Sequence, residues 1–301
     1  MKRKAYGRDA GLTVRMLFTG SLLGLLYVFF ALVLFYIFNA GLVLMLVIVI
    51  GMALFQYFTS DKLALRASGA KIVTPEEAPK LHEMIERLAA MADLQKPRVA
   101  IVDTPVPNAF ATGRNQKHAV VAVTSGLWER LDEKEIEGVL AHELTHIANR
   151  DVLVMTVASS AGIAAGMLTQ GAQYGAFFGR SRSKEGAIGV VGALVISLVI
   201  YAISFFLLRL LSRYRELCAD RAGAYLTMKP AALATALQKI SGEMAAIPQQ
   251  DLRASKAMNA FFIAPAISGA TFKTLTSTHP SLEQRLEQLA KIQAELGRTE
   301  P

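Results

Sequence analysis

Cysteine is almost absent: the 301 residues hold a single one, Cys218. No intrachain disulfide can form, which fits a reducing compartment and leaves the fold to stand on packing. Charge is also scarce. Asp, Glu, Lys and Arg make up 19% of the chain against 53% hydrophobic residues, a balance on the membrane side of soluble averages. From Met16 to Ser60 there is no charged residue and no histidine. That run is too long for the apolar core of a signal peptide. No internal repeat, low-complexity segment, nucleic-acid motif or interleaved basic–aromatic strip is present. The net charge of +8 is therefore not read as a nucleic-acid surface. The basic residues flank apolar stretches instead, as the positive-inside rule expects.

A membrane span needs about 20 apolar residues, so the first run holds two. The break falls at Asn39-Ala40-Gly41, a group of turn formers. A third uncharged stretch covers Val152–Gly179 and a fourth Gly186–Leu208. The third carries Gly162-x-x-x-Gly166 and Gly171-x-x-x-Gly175-x-x-x-Gly179, small residues that let helices approach closely. We therefore expect about four transmembrane helices, two in 16–60 and two in 152–208, after a short N-terminus of 1–15. The pieces 61–151 and 209–301 should form one soluble domain interrupted by a membrane hairpin. Lys2, Arg3, Lys4, Arg8 and Arg15 precede the first span; Lys62, Arg66 and Lys71 follow the second; Arg209, Arg213 and Arg215 follow the fourth. These predict a multi-pass protein of the cell membrane with both soluble pieces in the cytoplasm. Arg180, Arg182 and Lys184, between the third and fourth stretches, disagree, and the first hairpin is taken to dominate. Ala257–Phe272 is uncharged but too short to span, and reads equally as a lid, an interfacial segment or core.

Within 61–151, Thr74-Pro75-Glu76-Glu77 predicts a helix start, with Thr74 as N-cap and Glu77 at N3. Val99–Val102, Asn108–Thr112 and Ala119–Thr124 read as strands, the last two joined by a turn at Gly113–Lys117. Asp132, with Glu135 three residues on, predicts the cap of a helix that runs to His142-Glu143-Leu144-Thr145-His146. The fold class expected is α+β, mostly α, with a small β-sheet.

Two histidines at i and i+4 share one helix face and can hold one zinc ion, which favours neutral imidazole nitrogens. Glu143 then lies beside the metal, placed to handle the proton of a water. A catalytic zinc needs a third protein ligand and one open position. His82 and His118 read as surface residues. Glu216 is the better candidate, in a helical segment that places Asp220 one turn further on. Asp220, and Asp151 after the histidine helix, could orient the ligand histidines. The alternatives are an ion-pair partner in an Arg-rich helix for Glu216 and a helix-end charge for Asp151. Cys218, two residues past Glu216, points off that face and reads as a small core residue.

Several motifs resemble the HtpX family of membrane zinc metalloproteases, relatives of the CAAX prenyl proteases. They are Pro107-Asn108-Ala109-Phe110-Ala111-Thr112-Gly113, His142–His146 with Asn149-Arg150-Asp151, Arg215-Glu216-Leu217-Cys218-Ala219-Asp220, and Thr278-His279-Pro280-Ser281 with Arg285-Leu286. The departure is Leu217, where an aromatic residue is common. The resemblance implies a zincin-like (gluzincin) domain holding one zinc ion per chain, with Glu216 as third ligand. It implies that the strand through Asn108, Ala109 and Phe110 pairs with substrate backbone, and that His279 stabilises the tetrahedral intermediate. It also implies quality control, with cleavage of misfolded or damaged membrane proteins from the cytoplasmic side. Two rival readings are a prenyl-protein processor, which would favour more spans, and a membrane scaffold or chaperone-like binder with a structural zinc. A structural zinc is normally closed by four protein ligands, which leaves Glu143 without a purpose.

Overall fold

The computed structural model describes residues 10–38, 42–151, 154–155, 184–246 and 277–297. The turn at 39–41, most of the third apolar stretch, Arg180, Arg182, residues 257–272 and the basic residues before Ala10 lie outside the described residues. Helix α1 (Ala10–Phe38) ends and α2 (Leu42–Ser68) begins on either side of the expected break. On α1, Val14, Leu17, Phe18 and Leu25 are each 63–67% exposed. The α1 residues Met16 and Leu23 pack instead against Leu207, Leu208 and Leu211.

Four short strands follow: β1 (Lys71–Ile72), β2 (Arg98–Val102), β3 (Ala109–Thr112) and β4 (Val120–Thr124). They form one mixed sheet in the order β1-β2-β4-β3. β2 and β4 are parallel, and β3 returns antiparallel to β4 with Phe110 opposite Ala122. The turn before β4 needs Gly113, whose φ is +131° and whose missing Cβ would lie 2.6 Å from Ala119 Cα. Strand alternation sorts the side chains into two layers. Val99, Ala109, Val121 and Val123 join the main core, while Ala100, Val102, Phe110, Val120 and Ala122 face Leu65 and Ala70.

The main core is closed by helices. α3 (Pro79–Met91) contributes Leu81, Ile85 and Leu88. It starts later than predicted: Thr74–Glu77 forms only a turn, in which Glu77 accepts the Thr74 N–H at 2.7 Å. Pro79 accounts for this, because the residue before a proline avoids the helical region, and Ala78 sits at φ −141°. His82 is also a correction: it is buried, and its Nε2 lies 3.1 Å from the Val73 carbonyl. A short α4 (Ser125–Arg130) precedes α5 (Glu133–Ala148), which opens on the expected capping box of Asp132 and Glu135. α5 runs through the centre with Val139, Leu140 and Leu144 fully buried, each contributing about 1.5–3 kcal/mol by apolar burial.

α6 (Lys184–Thr227) is a single 44-residue helix that contains the fourth apolar stretch and Glu216 without a break at Arg209. Its stretch from Val195 is, among the described residues, the one helix long and apolar enough to cross a membrane. α7 (Pro230–Ala246) and α8 (Leu282–Gly297) complete the core with Leu233, Leu237, Ile240, Leu289 and Ile292. α6 crosses α5 at Gly223, where a Cβ would lie 2.9 Å from the His142 backbone nitrogen. Glycine is what lets the two backbones meet there.

Candidate metal centre

α5 presents His142 and His146 one turn apart on the face that meets α6, and α6 presents Glu216 to the same point. The two Nε2 atoms are 3.2 Å apart. His146 Nε2 is 3.4 Å from Glu216 Oε1, and His142 Nε2 is 3.7 Å from Glu216 Oε2. Tetrahedral zinc with ligand bonds of about 2.0–2.1 Å sets its ligand atoms about 3.3 Å apart, so the three distances fit the group.

The chemistry of the donors argues the same way. His142 Nδ1 lies 2.9 Å from Asp220 Oδ1, an ion-pair distance that departs from hydrogen-bond linearity. His146 Nδ1 lies 2.5 Å from Asp151 Oδ2. With His146 Nδ1 on Asp151 and His142 Nδ1 facing Asp220, the two Nε2 atoms are the ones left toward one another and toward Glu216. Three acceptors converging in a buried space require a cation between them. In the metal-free protein a proton takes that role. Burial alone would depress the His142 imidazole, but Asp220 and Glu216 override it and push the pKa up to about 10. Burial would raise Glu216, yet His279 and His142 hold it well below the usual carboxylate range.

Each of the three groups has a partner behind it. Asp220 is fully buried and held by the Arg285 fork, Nε to Oδ2 at 2.7 Å and Nη2 to Oδ1 at 2.6 Å. Asp151 also accepts Arg215 Nη2 at 2.7 Å, and these two cations and His146 keep both aspartates ionised against burial. Glu216 Oε2 is 3.0 Å from His279 Nδ1. Sequence reasoning missed both arginine roles, although each lies in a motif singled out there. His118 stays in its turn beside Asn115, and Cys218 faces Met16, with the sulfurs 3.4 Å apart.

The expected substrate strand is the edge of the sheet. Asn108 and Phe110 are buried and serve the fold: Asn108 pairs its backbone with Thr124, and Phe110 fills the second core layer. By strand alternation the backbone of Ala109 and Ala111 faces the free edge. The Ala111 N–H donates to Glu143 Oε2 at 2.8 Å.

Glu143 is thus held beside the converging donors while remaining outside their set. A metal kept only for stability would have no use for it. The arrangement, under a small mixed sheet with an open edge, defines a metallopeptidase. A family model described as Peptidase family M48 matches residues 75–293. The chain belongs to peptidase family M48. It is 51% identical over 297 residues to "Protease HtpX homolog" of Moorella thermoacetica, covering 98% of each chain. It is 52% identical to "Protease HtpX homolog 2" of Methanosarcina mazei, covering 99% of this chain and 100% of that one. The crystal structure of S. mikatae Ste24p aligns with a TM-score of 0.56 at 19% identity, covering 92% of this chain and 65% of that one. That likeness concerns the fold.

Proposed function

We propose that this metallopeptidase is a zinc-dependent endopeptidase of the cell membrane, facing the cytoplasm and cleaving misfolded or damaged membrane proteins. The observation that carries the catalytic part is the convergence of His142, His146 and Glu216, whose ligand atoms all lie within 4.8 Å of one another, beside a buried carboxylate that is not among them. These three residues would hold zinc, which would supply a Lewis acid able to bring the pKa of water toward about 7.

Glu143 takes the proton of the attacking water as oxygen adds to the scissile carbonyl carbon. It delivers that proton to the leaving amine as the C–N bond breaks. The Ala111 N–H fixes the carboxylate for both transfers. His279 has its Nδ1 on Glu216 and a buried Nε2 without a hydrogen-bond partner among the described residues. A proton on that Nε2 would be offered to the oxyanion. An extended substrate adds to the free edge of β3 through the backbone of Ala109, which reads no side chain and suits broad specificity. Asp220 and Asp151 fix the ligand imidazoles.

Membrane residence is supported by the exposed apolar faces of α1 and α6. Leu198 and Val195 of α6 are 60% and 56% exposed, a costly surface in water and an ordinary one in lipid. The reading keeps four spans, two in 16–60 and two in 152–208, with 61–151 and 209–301 as one domain between and after them. Preference for membrane-protein substrates follows from a site close under the bilayer. The test is purification in detergent without metal, followed by digestion of a denatured protein. Cleavage should appear with added zinc and vanish with chelator. Zinc-independent cleavage would sink the mechanism, and zinc binding without cleavage of any polypeptide would favour a scaffold.

A further inference from the structure

We infer that Arg215 is a positioning residue, acting on the metal through Asp151 and His146. The inference rests on the metal centre proposed above and adds to it a device that the ligand set does not contain. Asp151 is 4% exposed, and a single oxygen, Oδ2, takes both His146 Nδ1 at 2.5 Å and Arg215 Nη2 at 2.7 Å. A buried carboxylate with one partner can turn about its Cα–Cβ bond; a second partner on the same atom fixes where that atom sits. The angle of the His146 ring, and so the direction of its Nε2, is set by that oxygen.

Three further observations support the role. The Arg215 side chain is only 11% exposed, so it is not a solvated arginine marking the membrane boundary. The turn that brings Asp151 back over the end of α5 holds Arg150 at φ +56°, a left-handed backbone costing a non-glycine residue about 1 kcal/mol or more. Such strain persists where surrounding contacts enforce it. Arg215 also directly precedes Glu216, about 100° around the same helix. α6 therefore delivers one ligand with one residue and steadies another ligand with its neighbour, so a displacement of α6 against α5 would disturb both at once. Arg285 does the corresponding job for His142, but as a two-point fork on a fully buried aspartate. Arg215 holds Asp151 by one nitrogen, and is the more adjustable of the two supports.

The experiment uses the full chain in detergent. Zinc affinity is measured by competition with a chromogenic chelator, and ligand geometry by the visible spectrum of the cobalt-loaded protein. Arg215→Gln should bind zinc about 10–100-fold more weakly and change the cobalt spectrum. Arg215→Lys should fall between. Asp151→Asn should lose as much as Arg215→Gln, and the double variant no more than either, because both break one chain of contacts. Unchanged affinity and spectrum in Arg215→Gln would overturn the inference, as would losses that add in the double variant. Should Arg215→Gln fail to fold, Arg215→Lys and Asp151→Asn decide by the same criteria. Glu216→Gln keeps the two readings apart: undiminished zinc binding there would refute the metal centre itself, whatever Arg215 does.

Discussion

The Glu143 carboxylate and the Ala111 backbone N–H are joined by a 2.8 Å hydrogen bond, which ties the proposed general base to the strand proposed to take substrate. Burial raises the Glu143 pKa, and the Ala111 N–H is among the contacts that pull it back. Glu143→Gln keeps an oxygen for that N–H and removes the base. Zinc content by atomic absorption should match wild type, and cleavage of a denatured protein should fall by about 10²–10⁴-fold. A variant that cleaves at near the wild-type rate removes Glu143 from the mechanism.

Zinc binding should release a proton, and its pH dependence has a definite sign. The His142 imidazole is pushed up to about 10 in the metal-free protein, so at neutral pH the proton must leave before the metal enters. Apparent affinity should climb about tenfold per pH unit through the neutral range and level off toward pH 10. Chelator competition at a series of pH values reads this directly. The same shift predicts that the metal-free protein gains most from His142 below the unfolded value of about 6.5. That contribution is lost as pH rises toward 10, and a melting temperature independent of pH over that window would contradict it.

The α5–α6 crossing should tolerate no side chain at Gly223. A Cβ there would lie 2.9 Å from His142 N, 3.1 Å from His142 Cα and 3.2 Å from Ala141 C, all backbone atoms that cannot step aside. Gly223→Ala should cost about 1–3 kcal/mol and weaken zinc binding by spreading the ligands. Gly242→Ala, in α7 with nothing within 4 Å of its Cβ, should instead be neutral or stabilise by up to about 1 kcal/mol. Thermal melts of the two variants separate a helix-propensity effect from a packing effect.

What the sequence made legible was local. The capping box at Asp132 and Glu135, the i and i+4 histidines and the alternation of β4 are written within a few residues. The late start of α3 was legible in principle, since Pro79 announces it, but the stronger Thr74-Pro75 signature drew the prediction forward. His82 falls on the outer side of its helix pattern, and only the Val73 carbonyl, nine residues away, explains its burial. The arginine supports were out of reach for a different reason. Arg285 and Asp220 are 65 residues apart, and no periodicity relates them. Gly223 looks like any helix glycine until α5 is laid across it.

The metal centre should lie on the cytoplasmic side, close under the bilayer. His146 lies in the last turn of α5, which ends at Ala148, only four residues before Val152, the first residue of the third apolar stretch. α6 continues unbroken from the fourth stretch to Glu216, which lies about 10 Å past Arg209 at about 1.5 Å per helical residue. The fourth stretch itself, Gly186–Leu208, is about 34 Å of helix, enough to cross a hydrocarbon core of about 30 Å. On the proposed four-span topology, the two ligand-bearing helices would each adjoin the end of a span, and one orientation would fix both. Lys134 is exposed at the start of α5, well away from the ligands. In a Cys218→Ser background, Lys134→Cys gives the protein a single thiol. An impermeant maleimide should leave it unlabelled in intact cells and label it once the membrane is opened. Labelling from outside would reverse the topology and move the substrates to the other side of the membrane, while leaving the chemistry of the centre as it stands.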